Sequence, residues 1–490
     1  MTEAIDRLIL VVFLPALVAP ALALVADYRR AAWINVAAST LNFLVSLSLF
    51  SVGNATSPWF LLDDFNIYLL ALTTFVGATT SLFSASYIVD AAETGKIRPI
   101  FLRLYHAMYQ AFMFTMLLAL AANNLGMMWV AVEGATLTTV LMVSLYRTPE
   151  AIEAAWKYFI LCGVGISLAL FGTILMYIVA QPAMGSGPDA MTWSVLLERV
   201  DEFNPALLNL AFVFLLIGYG TKAGLAPLHA WLPDAHAEGP TPISAVLSGL
   251  LLNVALYAVL RFKMLLAANG FAIAAGPLMI TMGLGSMLLA GLMLYGRRDI
   301  KRLFAYSSVE HMGLATFAFG MGGPVANFAG LLHMTMHSLT KSAIFFAVGH
   351  ITQNKGSQQI ADIRGLTLTH PRLGWALVVG VLAIAGAPPF GLFMSEFLIV
   401  TSTFARMPLL ALPVIVALLL AFGALVMRMQ ELAFGVPSPD LRPSPALPLP
   451  PLSLPALIPL YGHLALVLLA GVWLPGPLVD WFHAVAQRLG

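Results

Sequence analysis

The residues of this chain that could do chemistry stand where lipid-soluble residues are expected. Lys222 follows the apolar run ALLNLAFVFLLIGYG (206–220) with no acid beside it. His333, His337 and Lys341 occur at i, i+4 and i+8 in LLHMTMHSLTKSAIFF, a spacing that puts all three on one helix face. Glu133 lies a third of the way along NLGMMWVAVEGATLTTVLMV, and Glu396 lies in GAPPFGLFMSEFLIV. A lysine at the centre of a spanning helix costs about 2.5–3.5 kcal/mol on translocon scales. Each of these lysines therefore needs a partner, a wet cavity or a function. The chemistry that such groups can perform unaided is proton transfer. An acid beside Lys222 stabilises both ionised forms, and separating the pair frees the lysine proton; Glu133 is the acid we assign to that role. A stripe of histidine and lysine along one buried face suits a relay.

Plainer readings stand beside these. Glu133 could be tucked against a neighbouring helix end near Lys157. Either His333 or His337 could be a core histidine bonded to a carbonyl. Glu396 could face water at the edge of its span. His229 and His236 could cap a loop, and His311, near the start of its segment, carries a weaker signal still. Asp299, Lys301 and Arg302 read as a solvated cluster. A metal at the HxxxH pair is disfavoured because no third ligand is near in sequence, and no metal is expected.

The elements that position these groups are interrupted helices. Gly224, Pro227 and Pro233 follow Lys222. Proline removes a backbone donor and clashes with the preceding turn, so a helix must break near Pro227. Such breaks are tolerated at membrane depth only against protein or a water-filled cavity. AGLAP (223–227) recurs as AGAPP (385–389), so Gly224, Pro227, Pro388 and Pro389 mark two breaks. Paired interrupted helices are the sequence trace of an inverted-repeat transporter.

Composition fits this picture. The chain has 490 residues, 60% hydrophobic and only 10% charged, with mean hydropathy +0.90. A soluble protein carries about 25% charged residues, so this is a polytopic membrane protein. A net charge of +1 gives no case for nucleic acid. Cys162 is the one cysteine, which excludes an internal disulfide, a CxxC pair and a cysteine-ligated cluster. No cluster, haem, flavin or nucleotide motif is present, so no cofactor is expected in this chain. The N-terminal apolar run lacks a basic leader and reads as a retained first helix.

At roughly 20 apolar residues per crossing, the expected spans are 8–26, 31–52, 65–89, 104–122, 124–146, 152–180, 206–232 (broken), 240–262, 271–296, 300–320, 324–352, 373–400 (broken), 409–430 and 457–475. The expected fold is all-α with fourteen transmembrane helices. Of the 24 basic residues, sixteen fall in odd-numbered loops, four in even-numbered ones (Arg199, Arg261, Lys263, Arg406), two at the termini, and Lys222 and Lys341 inside spans. The positive-inside rule then puts the odd loops in the cytoplasm and both termini in the periplasm. One membrane domain, 1–490, is expected, with helices 1–3 in 1–103. Residues 437–459 are proline-rich and read as an extended cytoplasmic link. Helix 14 and an interfacial tail, anchored by Trp481 and Phe482, occupy 457–490.

KAGLAPLHAWLPDAHAEGPTPISAVLSG, DIKRLFAYSSVEHMG, HMTMHSLTKSAIFF and GAPPFGLFMSEF resemble the antiporter-like membrane subunits of respiratory complex I, group 4 membrane-bound hydrogenases and Mrp cation/proton antiporters. The likeness runs from roughly 60 to 430. LLNVALYAVLR and the overall length are most similar to the hydrogenase-4 component F branch. The resemblance implies two inverted five-helix repeats, helices 4–8 (104–262) and 9–13 (271–430), with helices 7 and 12 broken. It implies proton transfer by Glu133 and Lys222 as the coupling pair, Lys341 as central carrier and Glu396 as carrier on broken helix 12. His333 and His337 fall on the family's hydrated axis, with His229 as a bridging candidate. Where several relatives carry a lysine on helix 8, this chain has Asn253, which orients water but holds no proton at neutral pH. No long lateral helix follows span 14, in contrast to L-type subunits.

The implied partners are other membrane subunits (antiporter-like, H-type and K-type), a peripheral hydrogenase or dehydrogenase arm, and lipid. The implied role is proton translocation in a redox-driven inner-membrane complex, with no catalysis by this chain alone. The alternatives are an Mrp-type cation/proton antiporter subunit, the membrane half of a bicarbonate-accumulating complex, and a spacer whose relay is dead.

Overall fold

The computed structural model describes residues 2–437 and 454–490, so most of the proline-rich link lies outside the described residues. The chain folds as α1 (Thr2–Leu24), α2 (Tyr28–Leu47), α3 (Asp64–Glu93), α4 (Pro99–Ala121), α5 (Leu125–Val143), α6 (Pro149–Met184) and the short α7 (Trp193–Arg199). Then follow α8 (Pro205–Lys222), α9 (Trp231–Glu238), α10 (Thr241–Val246) and α11 (Leu252–Ala268). The second half holds α12 (Gly276–Tyr295), α13 (Ile300–Met321), α14 (Pro324–Lys355), α15 (Leu366–Thr369), α16 (Pro371–Ile384), α17 (Gly391–Arg406) and α18 (Pro408–Phe434). It ends with α19 (Leu454–Val472) and α20 (Gly476–Arg488). The only sheet among the described residues is a two-stranded pairing of Ala55–Thr56 with Leu61–Leu62.

Among the described residues, ten helices are long and apolar enough to cross a membrane, or eleven if the pair α19–α20, bent by 79°, counts as one span. The long helices α13 and α14 are too rich in ionisable residues to count by apolarity, yet nearly every side chain on them is buried. They form the centre of the molecule, and the other helices supply their apolar surroundings.

Helix starts follow local chemistry. Asp27, Asn124, Thr148, Asn204 and Asp299 each accept backbone N–H groups at the first turn of a helix, and Asp63 with Asn66 forms a reciprocal capping box on α3. These contacts satisfy donors that a helix start leaves without intrahelical partners.

Both expected breaks are present. α8 ends on Lys222 and α9 begins at Trp231; α16 ends at Ile384 and α17 begins at Gly391. In each break a glycine takes a left-handed backbone, Gly224 at φ 77° and Gly386 at φ 69°, a conformation that a side chain disfavours. Ala223, Gly224 and Leu225 donate to the carbonyls four, three and five residues back, as Ala385, Gly386 and Ala387 do, so the two short repeats leave their helices by the same backbone course. A third irregularity had no proline to announce it: Leu247–Leu251 between α10 and α11 is a π-helical turn. The Gly249 carbonyl there accepts the Ser338 hydroxyl of α14 at 2.6 Å.

Two sequence expectations change. Arg261 and Lys263 are not loop residues: α11 runs on to Ala268 and buries both. Arg261 makes a two-pronged ion pair with Asp63 at 2.7 and 2.8 Å, and its guanidinium packs over Phe65, Trp193 and Tyr257. The tail helix α20 is docked: Phe482 is buried, and the Trp481 indole donates to the Asp64 carbonyl at 2.8 Å.

Candidate proton-transfer site

Lys222 is the last residue of α8 and fully buried. A helix C-terminus carries partial negative charge, which favours a cation there. Close packing of α8 on α6 fixes its position, because a Cβ on Gly165, Gly172 or Gly218 would meet Thr221, Leu215 or Ala169. The ammonium donates to the Tyr158 hydroxyl at 3.1 Å and lies 4.8 Å over that ring and 6.0 Å from the Trp231 ring. Trp231 folds back from the far side of the break, donating to the Thr221 carbonyl at 2.9 Å and packing on Tyr158. The WLPDAH block thus closes over the lysine.

Glu133 is half-buried on α5 and accepts the Thr136 hydroxyl at 2.9 Å. It stands within electrostatic range of Lys222 but makes no direct ion pair with it; the direct partner is Tyr158. Lys157 pairs with Glu153 and Asp234 instead of Glu133.

In the second half, His333, His337 and Lys341 share one buried face of α14. That face meets α13, where the His311 ring lies 5.1 Å from His333 and 5.5 Å from His337. The Lys341 ammonium donates to the Phe304 carbonyl at 2.8 Å and has no carboxylate in direct contact. His311 Nδ1 and His333 Nε2 are hydrogen-bonded at 3.2 Å, and His333 Nδ1 meets the Ser395 hydroxyl at 3.0 Å. Glu396, next to Ser395 on α17, brings a carboxylate oxygen to within 4.8 Å of nitrogens of both His311 and His333. Gly386 in the second break makes the room, since a Cβ there would run into that carboxylate. Grouped nitrogens and oxygens of this kind suit an ion as well as a shared proton; the direct ring-to-ring hydrogen bond favours the proton.

Asn253 on α11 faces α14, its amide donating to the Ser338 hydroxyl at 2.7 Å and the Met334 carbonyl at 3.2 Å, with its own carbonyl free. His229 is buried beside Tyr306 with Nδ1 unbonded. His236 stacks on Phe345 of α14 with neither nitrogen bonded.

The solvated cluster expected at 299–302 is only partly so. Arg302 reaches Asp234 and Glu238, but Lys301 is 1% exposed and donates to the Ala237 and Gly239 carbonyls at 3.1 and 2.6 Å. Sequence reasoning missed Tyr158 and Trp231, and gave His311 too little weight.

Residues 122–421 match the family described as NADH:quinone oxidoreductase/Mrp antiporter, TM. The chain belongs to this family. It is 58% identical over 459 residues to the hydrogenase-4 component F homolog of Methylacidiphilum infernorum (isolate V4), covering 94% of each chain. Its fold is like that of a chain from the membrane-bound sulfane sulfur reductase, an archaeal respiratory membrane complex (TM-score 0.86, 21% identity, 98% of this chain and 97% of that one). It is also like a chain of the Mrp complex from Dietzia sp. DQ12-45-1b (TM-score 0.84, 19% identity, 100% of this chain and 98% of that one). The antiporter-like family expected from the sequence motifs is therefore the family of this chain.

Proposed function

We propose that this chain is a proton-translocating membrane subunit of a redox-driven complex of the group 4 hydrogenase type. The observation that carries the reading is the run of ionisable groups from buried Lys341 past buried His311 and His333 to the part-buried Glu396, set against a broken helix. The 58% identity to a hydrogenase-4 component F homolog supports the type of complex. Lys222, with Glu133 at electrostatic range, is the coupling pair, and the Tyr158 hydroxyl holds the lysine in place. A neighbouring subunit's electrostatic or conformational pulse moves that pair. Lys341 responds, and protons leave by the two histidines and Glu396. His311 can take a proton on one nitrogen and release another from the second, so it passes charge without gaining any. Asn253, His229 and water span the gap between the two lysines. The work available is set by the membrane potential, about 2.3 kcal/mol per charge per 100 mV.

Within this reading the chain is one membrane domain with fourteen crossings. α13, α14, the broken span α16–α17 and the helix α19 add to the ten that qualify by apolarity alone, α8 of the other broken span being one of the ten. Helices 4–8 and 9–13 are inverted repeats, supported by the matching backbone of the two breaks. The chain is multi-pass in the inner membrane with both termini periplasmic, a placement supported by the asymmetry of its basic residues. Its partners are antiporter-like, H-type and K-type membrane subunits and a peripheral hydrogenase or dehydrogenase arm.

The test is Lys222→Ala and Glu133→Gln in the assembled complex reconstituted in liposomes. Both variants assemble, and proton translocation driven by electron transfer falls. Intact assembly with undiminished translocation refutes the reading. An Mrp-type subunit would instead exchange cations for protons without an electron donor, so sodium-driven exchange by the complex in the absence of reductant would favour that alternative.

A further inference from the structure

No hydrogen bond joins Lys341 to the histidine pair. Lys341 hydrogen-bonds only a backbone carbonyl, and the next hydrogen-bonded ionisable pair is His311 with His333. Glu310 on α13 lies in that gap. It is 1% exposed, and an unpartnered carboxylate in such surroundings is costly. Its Oε2 stands 3.4 Å from His311 Nε2, while its Oε1 has no hydrogen-bond partner. The same ring nitrogen of His311 is otherwise unbonded. Glu310 is within electrostatic range of the Lys341 ammonium, which attracts it, and of the Glu396 carboxylate, which repels it. From the elements packed around α13, the ionisable groups that face this spot are Lys341, His333 and His337 on α14 and Glu396 on α17.

A structural role accounts poorly for this arrangement. A carboxylate kept for packing would fill both oxygens with backbone or side-chain donors, and a buried ion pair would bring it into direct contact with Lys341. Neither occurs. One oxygen is aimed at an imidazole nitrogen and the other is left open, on a helix whose neighbours carry the remaining relay groups.

We propose that Glu310 is an additional proton carrier, taking a proton from Lys341 and delivering it to His311. The inference rests on the relay reading above and completes it. The step balances. The Lys341 ammonium gives up one proton to become the neutral amine, and the Glu310 carboxylate becomes the carboxylic acid. Glu310 then gives that proton to His311 Nε2, while His311 releases its Nδ1 proton to His333 Nε2. His333 releases its own Nδ1 proton towards Ser395 and Glu396. Glu310 returns to carboxylate and both rings return neutral, in the opposite tautomer. A second proton entering Lys341 with the next pulse recharges the path, and ring rotation or a return proton resets the tautomers.

The experiment compares E310Q, E310D and Lys341→Ala in the whole complex reconstituted in liposomes, reading protons translocated per electron together with electron-transfer rate in the presence of a protonophore. The glutamine keeps size and hydrogen bonding but holds no exchangeable acid proton. The expected result is loss of translocation in E310Q, retention in E310D and loss in Lys341→Ala. Undiminished translocation in E310Q with loss in Lys341→Ala overturns the role of Glu310 and leaves the relay standing. Undiminished translocation in both overturns the relay itself. Should E310Q not assemble, infrared difference spectra of the unaltered complex and of E310D, resting against turning over, decide the matter. A carboxyl band that moves in E310D supports the proposal, and no change of any carboxyl band between the two overturns it.

Discussion

The Lys222 ammonium meets the Tyr158 hydroxyl at 3.1 Å, while Glu133, the acid expected to pair with it, stands off and hydrogen-bonds Thr136 instead. The tyrosine hydroxyl is held in turn by Thr139 at 2.6 Å. A charge that rests on a neutral hydroxyl, with its acid at a distance, is easier to perturb than one locked in a direct ion pair, because the Coulomb energy changes with every shift of α5 against α8.

Tyr158→Phe removes this hydroxyl and keeps the ring. The ammonium loses a hydrogen bond to a charged group, worth about 1.5–3 kcal/mol. Assembly should be retained, since the ring still packs on Trp231. Coupled proton translocation should fall, on the order of tenfold for each 1.4 kcal/mol lost. Translocation equal to wild type would mean that Tyr158 only fills space.

Gly386→Ala places a methyl group where the Glu396 carboxylate lies, at a left-handed backbone position. Gly224→Ala has the same backbone penalty, about 1–2 kcal/mol, but its Cβ meets Leu232 and no ionisable group. Both variants should lower thermal stability in detergent. Gly386→Ala should lose proton translocation beyond what its stability loss explains, and equal functional losses in the two would contradict the account of Gly386.

Arg261 and Asp63 give a pH-dependent prediction outside the relay. Burial works against the Asp63 carboxylate, but the Arg261 charge and the hydrogen bonds it donates, with the Asn66 N–H, hold the carboxyl below its ordinary value. A lowered folded pKa contributes stability that is present above the unfolded value of about 3.9 and lost as pH falls through the folded value. Asp63→Asn should lower stability by about 3–5 kcal/mol at neutral pH, because it strands a buried guanidinium. Melting curves of the two proteins should converge as pH drops below about 4. A constant difference down to pH 3 would contradict the assignment.

The two breaks are legible because Gly and Pro leave an unambiguous mark, and the α14 stripe because its spacing matches one helix face. The direction of Asn253, whose amide meets α14, is not legible, because no periodicity marks a face on the almost wholly buried α11. The remaining features are hidden for physical reasons. Lys301 stands in DIKR at a helix start, where three charged residues out of four look like a solvated loop; only the packing of α9 over it reveals that it is buried. Glu310 and His311 lie in α13, whose burial on every side suppresses the apolar–polar periodicity that would give them a face. Tyr158 is an aromatic residue in an apolar run, a pattern that marks lipid contact and core alike. Arg261 looks like a loop charge because its partner Asp63 is 198 residues away in sequence.

The central claim is that protons cross through the buried groups around Lys341. The most direct test is the number of protons translocated per electron by the liposome-reconstituted complex carrying Lys341→Ala, with assembly and protonophore-released electron transfer measured in parallel. The account predicts an assembled complex that still transfers electrons when uncoupled and has lost this chain's share of the protons. An assembled Lys341→Ala complex with the wild-type ratio of protons to electrons would contradict it.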